Sequence, residues 1–218
     1  MSNLTAYRTK ILQVLGDMGG SRYSNAALDE ALRWTLAAYG KVLLQVKTGT
    51  VTLNAAGREQ SLGSLTGLET ILEVNFPYTS GDESPLIFEA WYFYTRSATP
   101  YIHLGGDYVP AAADVVRVVY TTGHTIEDLD SATATTIPVT HEYLFANGAA
   151  GKAAMSRGSH LIEAYGSRAS ESGKLQEWAE STVKEFLSEL STLKISQALP
   201  GWNSSGWQLD GWDDESQI

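Results

Sequence analysis

Residues 22–53 read RYSNAALDEALRWTLAAYGKVLLQVKTGTVTL, and within them the apolar period changes from that of a helix to that of a strand. Ser24 stands where an N-cap is needed, its side-chain oxygen placed to take a free backbone N–H of the first turn. Leu28, Leu32, Leu36 and Tyr39 then recur four, four and three apart, with Trp34 on another face, which makes a helical stripe. Asp29 and Glu30 occupy early turns, where the helix dipole favours acid. From about Thr48 the period falls towards two, and Thr50-Val51-Thr52-Leu53 reads as a strand.

Towards the N-terminus, Leu4, Tyr7, Ile11, Val14 and Leu15 keep helical spacing until Asp17-Met18-Gly19-Gly20 ends the run, so residues 1–47 predict an antiparallel helical hairpin turning at Gly19 to Tyr23. Beyond the switch, Ile71 to Phe76, Phe88 to Tyr94, Tyr101 to Leu104 and Val115 to Tyr120 read as further strands. Gly57, Gly67, Pro77, Gly81, Pro85, Pro100, Gly105-Gly106 and Pro110 separate them. Residues 48–122 therefore predict a small antiparallel sheet or barrel inserted between helical parts. Trp91-Tyr92-Phe93-Tyr94 places rings on both faces of one strand, which is either central in its sheet or half exposed to a partner.

Residues 123–136 read as a polar, acidic connection. Ile137-Pro138 announces the next helix, since a proline in the first turn lacks only a donor that has no partner there. From His141 to Tyr165 small residues dominate, with Ala146, Ala150, Ala153, Ala154 and Gly158 on a face suited to tight helix packing. Interior Gly148, Gly151 and Gly158 each cost about 1 kcal/mol against alanine, so close approach of another backbone is expected there. After a break at Gly166 to Gly173, a last helix runs from Lys174 to about Ile195 on a stripe of Leu175, Trp178, Thr182, Phe186, Leu190 and Leu193. The fold class is α+β: a bundle of about four helices (residues 1–47 and 137–198), the β insertion, and an extended C-terminal arm at 199–218.

The chain has 218 residues, 43% hydrophobic and 18% charged, with no Cys and a formal charge of −10. That is enough apolar material for a core, and too little charge for wholesale disorder. Without cysteine there is no disulfide framework, thiolate metal site or Cys nucleophile. No apolar run reaches the roughly 18 residues of a membrane span, and MSNLTAYRTK lacks an apolar signal region, so neither membrane insertion nor secretion is expected. The acidic balance argues against general binding to a phosphate backbone.

Catalytic constellations are sparse. His141-Glu142 lacks a second histidine four residues on, where Phe145 stands, so the zinc-protease pattern fails. His103, His124 and His160 fall on a strand, a loop and a helix, with no ligand spacing. Glu127, Asp128 and Asp130 are the carboxylates nearest to a glycosidase pair, but nothing local separates their pKa values. Gly105-Gly106-Asp107 lacks the lysine and following helix of a phosphate loop. No metal site or cofactor is expected.

The arm, GWNSSGWQLDGWDDESQI after Pro200, is the more informative segment. Trp202, Trp207 and Trp212 recur every five residues, a spacing that suits neither helix nor strand, and only Leu209 lies among them as a further apolar residue. Asp210, Asp213, Asp214 and Glu215 share the arm with no base. Indoles in so polar a segment need burial elsewhere, and tryptophan is enriched in interface hot spots, so docking on a partner is favoured over folding back.

Leu4-Thr5-Ala6-Tyr7-Arg8, Leu15-Gly16-Asp17, Arg22-Tyr23-Ser24-Asn25-Ala26-Ala27-Leu28-Asp29-Glu30-Ala31-Leu32, and Ile137-Pro138-Val139-Thr140-His141-Glu142 leading into Gly148-Ala149-Ala150-Gly151-Lys152-Ala153-Ala154 follow one another in a familiar order. This order resembles the head-to-tail adaptor (connector or neck) proteins of tailed, especially short-tailed, bacteriophages, over about residues 4–40 and 137–195, with the β insertion matching in kind. The resemblance implies a structural virion protein, assembled in the host cytoplasm, that forms a ring, commonly of twelve copies, beneath the portal. It would join the portal to the tail (nozzle or tail tube, and fibre proteins) and let DNA pass through its channel without specific binding. Trp202, Trp207, Leu209 and Trp212 would dock on the portal, and Trp91, Tyr92, Phe93 and Tyr94 would face the tail. Two other classes stay open: a cell-wall hydrolase of the phage neck, working through carboxylates, and a carbohydrate- or protein-binding module on the aromatic strand. Ring exposure discriminates the last, since rings turned into the sheet's own core leave no binding surface.

Overall fold

Asn3 and Ser24 start the first two helices in the same way: the side-chain oxygen of each accepts the backbone N–H three residues on, from Ala6 at 3.1 Å and from Ala27 at 3.3 Å. The computed structural model describes residues 2–81, 86–107, 109–165 and 169–198. The arm at 199–218 lies outside the described residues. Among those described, the fold is α+β, with four helices and two three-stranded antiparallel sheets.

Two units divide the chain. The first comprises residues up to Leu43 together with the chain from Thr125 on, and the second is Leu44–His124. In the first, helices α1 (Leu4–Val14), α2 (Asn25–Val42), α3 (Glu142–Tyr165) and α4 (Ala169–Ala198) share one core. Tyr7 and Ile11 of α1, Leu28 and Leu32 of α2, Phe145 and Ala149 of α3, and Phe186 and Leu190 of α4 are all buried in it. Short 3-10 turns at Leu129–Ser131 and Val139–His141 lead into α3, with Pro138 at the cap of the second.

Three local readings of the sequence are corrected. α4 begins at Ala169, so Gly173 lies inside the helix rather than in a break before Lys174. Nothing crowds that glycine, and its propensity cost of about 1 kcal/mol is small beside the burial of Ala179, Phe186 and Leu190 further along the helix. Gly148 accommodates an aromatic side chain rather than another backbone: a β-carbon there would meet the ring of Phe186. Asp29 and Glu30 serve ion pairs, with Arg8 and Arg33 respectively, and α2 has no acid in its first turn.

In the second unit, β1 (Gln45–Thr52), β6 (Val115–Thr122) and β3 (Leu68–Asn75) form one sheet in the order β1-β6-β3. β2 (Glu59–Ser61), β5 (Thr99–Leu104) and β4 (Trp91–Arg96) form the other, in the order β2-β5-β4. Alternation decides what β5 and β6 bury, and on β3 a register shift between Ile71 and Glu73 lets Ile71 and Val74, three apart, both turn inward. Val116 and Val118 of β6, Ile71 and Val74 of β3, and Ile102 and Leu104 of β5 share one core, with Leu62 and Phe76 from the connections. β2 is new relative to the sequence reading. It spans three residues, of which Gln60 alone is buried.

Candidate functional site

Pairing across β4 and β5 sets Tyr92 opposite His103, Phe93 opposite Ile102 and Tyr94 opposite Tyr101. Because side chains alternate, Phe93 and Trp91 pack half-buried against the sheet core while Tyr92 and Tyr94 stand on the outer face. Of the four aromatic residues singled out in the sequence, the outer face therefore displays two. Tyr92 is 56% exposed and stacks on His103 with ring centroids 4.6 Å apart. Tyr94 stacks on Tyr101 at 5.7 Å, and Tyr92 and Tyr94 are 5.8 Å apart along the strand.

Charged residues from both edges close this row. Arg96 lies 4.4 Å over the Tyr101 ring and pairs with Glu59 of β2 at 2.8 Å. A hydrogen bond from Tyr94, with Arg96 beside it, holds the Glu59 carboxyl below its ordinary value. Partial burial and that same bond push the Tyr94 phenol up to about 12. β4 is an edge strand, so Tyr92, stacked on His103 by one face, stays exposed, while the Tyr94 hydroxyl is taken up by Glu59. Glu59, Arg96 and Tyr101 were not singled out in the sequence, and His103 was weighed there only as a metal ligand. The spacing Tyr101/His103 was a signal, but only strand register reveals what it faces.

A second surface lies on the helical unit, a groove of about 480 Å³ between the α1–α2 turn and α3, lined by Arg22, Tyr23, Ala27, Ala153, Arg157 and His160, among others. Arg157 donates to the carbonyl of Arg22 and stands 5.2 Å over the Tyr23 ring. Asp17 organises the turn: its carboxylate accepts the N–H groups of Ser21, Arg22 and Tyr23 and the Ser21 hydroxyl. Burial acts to raise its pKa, and these donors together bring it below the ordinary value.

The small residues singled out on α3 are buried: Ala146, Ala150 and Ala153 in the core shared with α1 and α2, and Ala154 and Gly158 with them inside the unit. Gly158 faces Gln176 of α4 at ordinary contact distance, whereas a β-carbon on Gly151 would lie 3.0 Å from Val183. Trp202, Trp207, Leu209 and Trp212 lie outside the described residues.

Among the carboxylates weighed for catalysis, Asp130 is held in an ion pair and Glu127 is tied down through its backbone. Asp130 pairs with Arg33 at 2.7 Å, which holds its carboxyl low, and the Glu127 N–H donates to Thr135. Glu142 is buried with Lys10 and with Ser2, whose N–H and hydroxyl donate to it at 2.9 and 2.8 Å. His141 Nδ1 shares a 2.6 Å hydrogen bond with the Tyr39 hydroxyl. Among the described residues, no group of three or more His, Cys, Asp or Glu is arranged to hold a metal ion, and no helix is long and apolar enough to cross a membrane.

No protein-family model matches the chain, and no curated protein matches it either. Among solved structures it is similar to a chain in the neck of an empty GTA particle computed with C6 symmetry. The two are 19% identical, with 65% of this chain and 74% of that one covered, at a TM-score of 0.30.

Proposed function

We propose that this chain is a structural subunit of the neck of a tailed-phage-like particle, closing with further copies into a ring that joins the portal to the tail. The observation that carries this reading is where the adaptor-like stretches meet. Leu4–Arg8 opens α1, Arg22–Leu32 leads into and opens α2, Ile137–Glu142 leads into α3 and Gly148–Ala154 form its centre. Dispersed along the sequence, they supply Leu4, Tyr7, Leu28, Leu32, Ile137 and Ala150 to a single core. What resembles the adaptors is thus the set of positions that builds one helical unit.

In this reading the protein works without catalysis or cofactor. Twelve copies form the ring, assembled in the host cytoplasm into the virion, and DNA passes through the channel without specific contacts. The arm at 199–218 docks on the portal through Trp202, Trp207, Leu209 and Trp212. Ala146, Ala150, Ala153, Ala154 and Gly158 set the close packing that makes the subunit rigid. The outer face of β2-β5-β4, with Tyr92 exposed on it, meets the tail. Electron imaging of the portal with the full chain tests this: a ring of subunits at one end of the portal is expected, and a bare portal at saturating subunit would overturn it.

A further inference from the structure

We infer that the groove between the α1–α2 turn and α3 stores the end of this chain's own arm, the segment Trp212-Asp213-Asp214-Glu215, while the subunit is free. The groove is positive in a chain of formal charge −10. Among the described residues, Arg8, Arg33, Arg96 and Lys10 each pair with a carboxylate. Arg22 and Arg157 are in no such pair, and His160 beside them is exposed. Asp17, the acid of that turn, is bound by four neutral donors and offsets only part of the charge of the two arginines.

The guanidinium of Arg157 covers the ring of buried Tyr23 and leaves its outer face for a second ring to stack on, with exposed Ala27 beside it. An occupant that satisfies this surface brings a large ring for that face and carboxylates for the two arginines, which bind such groups in bidentate fashion. The arm ends on that combination, an indole followed by three acids, and carries no base.

Its length fits. Gly158, next to Arg157, lies against Gln176 of α4. From there α4 advances about 33 Å to Ala198 at a helical rise of roughly 1.5 Å per residue. Fully extended, the arm from Leu199 to Trp212 spans up to about 46–50 Å, enough to run back along the helix. This goes beyond docking on the portal, because it concerns the subunit before a portal is met.

The chain has no Cys, so a disulfide trap in the full chain reads the contact directly. Ser156, which lines the groove, and Ser216 in the arm are changed together, Ser156→Cys with Ser216→Cys, and the free protein is mildly oxidised. An intramolecular disulfide is expected at a rate at least about tenfold above that of the control pair Thr140→Cys with Ser216→Cys, as a docked arm has a high local concentration. Thr140 lines a different groove, with Tyr143 and Trp178. Adding Arg157→Glu, or separately Trp212→Ser, should slow trapping about tenfold by removing one side of the match. Trp212→Ser serves if Arg157→Glu fails to fold. Equal trapping at both positions, or trapping indifferent to both variants, overturns the inference. A cross-linked dimer does so too, by giving the groove to a second copy. No portal enters the experiment, so its failure leaves portal docking standing.

Discussion

A β-carbon on Gly148 of α3 would lie 2.7 Å from Cγ of Phe186 on α4. Phe186 is 1% exposed, and its ring lies 6.3 Å from that of Trp34 on α2, so it has little room to withdraw. Alanine would return about 1 kcal/mol of helix propensity, against a typical overpacking cost of about 1–3 kcal/mol. Gly148→Ala is therefore expected to lower stability by up to about 2 kcal/mol in thermal unfolding. Gly173→Ala, within α4 and with nothing near its β-position, should raise it by about 0.5–1 kcal/mol. Equal effects of the two substitutions would refute the contact.

The hydroxyl of Tyr7 is buried and finds no hydrogen-bond partner among the described residues, while its ring meets Phe145 edge-on at 5.5 Å. Burial raises its pKa well above the ordinary phenol value. Removing the oxygen keeps the packing and relieves an uncompensated polar group. Tyr7→Phe should thus leave stability unchanged or raise it by up to about 1 kcal/mol, measured by denaturant unfolding. A clear loss would show that the hydroxyl has a partner.

Burial alone would lift the Glu142 carboxyl, but hydrogen bonds from Lys10 and Ser2 outweigh it and hold the pKa below the ordinary value. On acidification the unfolded chain takes up its proton first. The stabilisation is complete at neutral pH, fades below about pH 4.3, the ordinary glutamate value, and is gone once the folded value is passed. Unfolding midpoints measured from neutral pH down to about pH 3 should fall less steeply in Glu142→Gln than in the parent. Identical slopes would show that this cluster contributes nothing.

Tyr92 and Ile102 test the two sides of the same small sheet. Ile102 is fully buried, so Ile102→Ala should cost about 2–5 kcal/mol. Tyr92 loses only a cross-strand stack on an exposed face, worth about 0.2–1 kcal/mol. Chemical denaturation of the two variants checks the contrast, and a comparable loss in Tyr92→Ala would give that ring a part in the core.

Helices α1 and α2 were legible because cap and period agree: Ser24 caps, and Leu28, Leu32 and Tyr39 are buried at the spacing read. Strands β3 and β6 were legible from branched apolar runs. β2 was not, since three residues with one buried glutamine carry no period. The connection at 123–136 read as polar and acidic because its acids dominate, yet Ile126 and Leu129 enter the helical core and Leu4 donates to the Glu127 carbonyl. Gly148 signalled crowding without naming Phe186, which lies far along the sequence. Both candidate surfaces need tertiary information: Tyr92 meets His103 through strand register, and Arg22 meets Arg157 through helix packing.

Docking of the arm on the portal is checked by the affinity of the particle's portal for the full chain and for a chain lacking residues 199–218, measured side by side with a check that both are folded. The full chain is expected to bind as a ring, and the shortened one to lose at least about tenfold in affinity with its helices and sheets intact. Undiminished binding by the shortened chain would contradict the role given to the tryptophans.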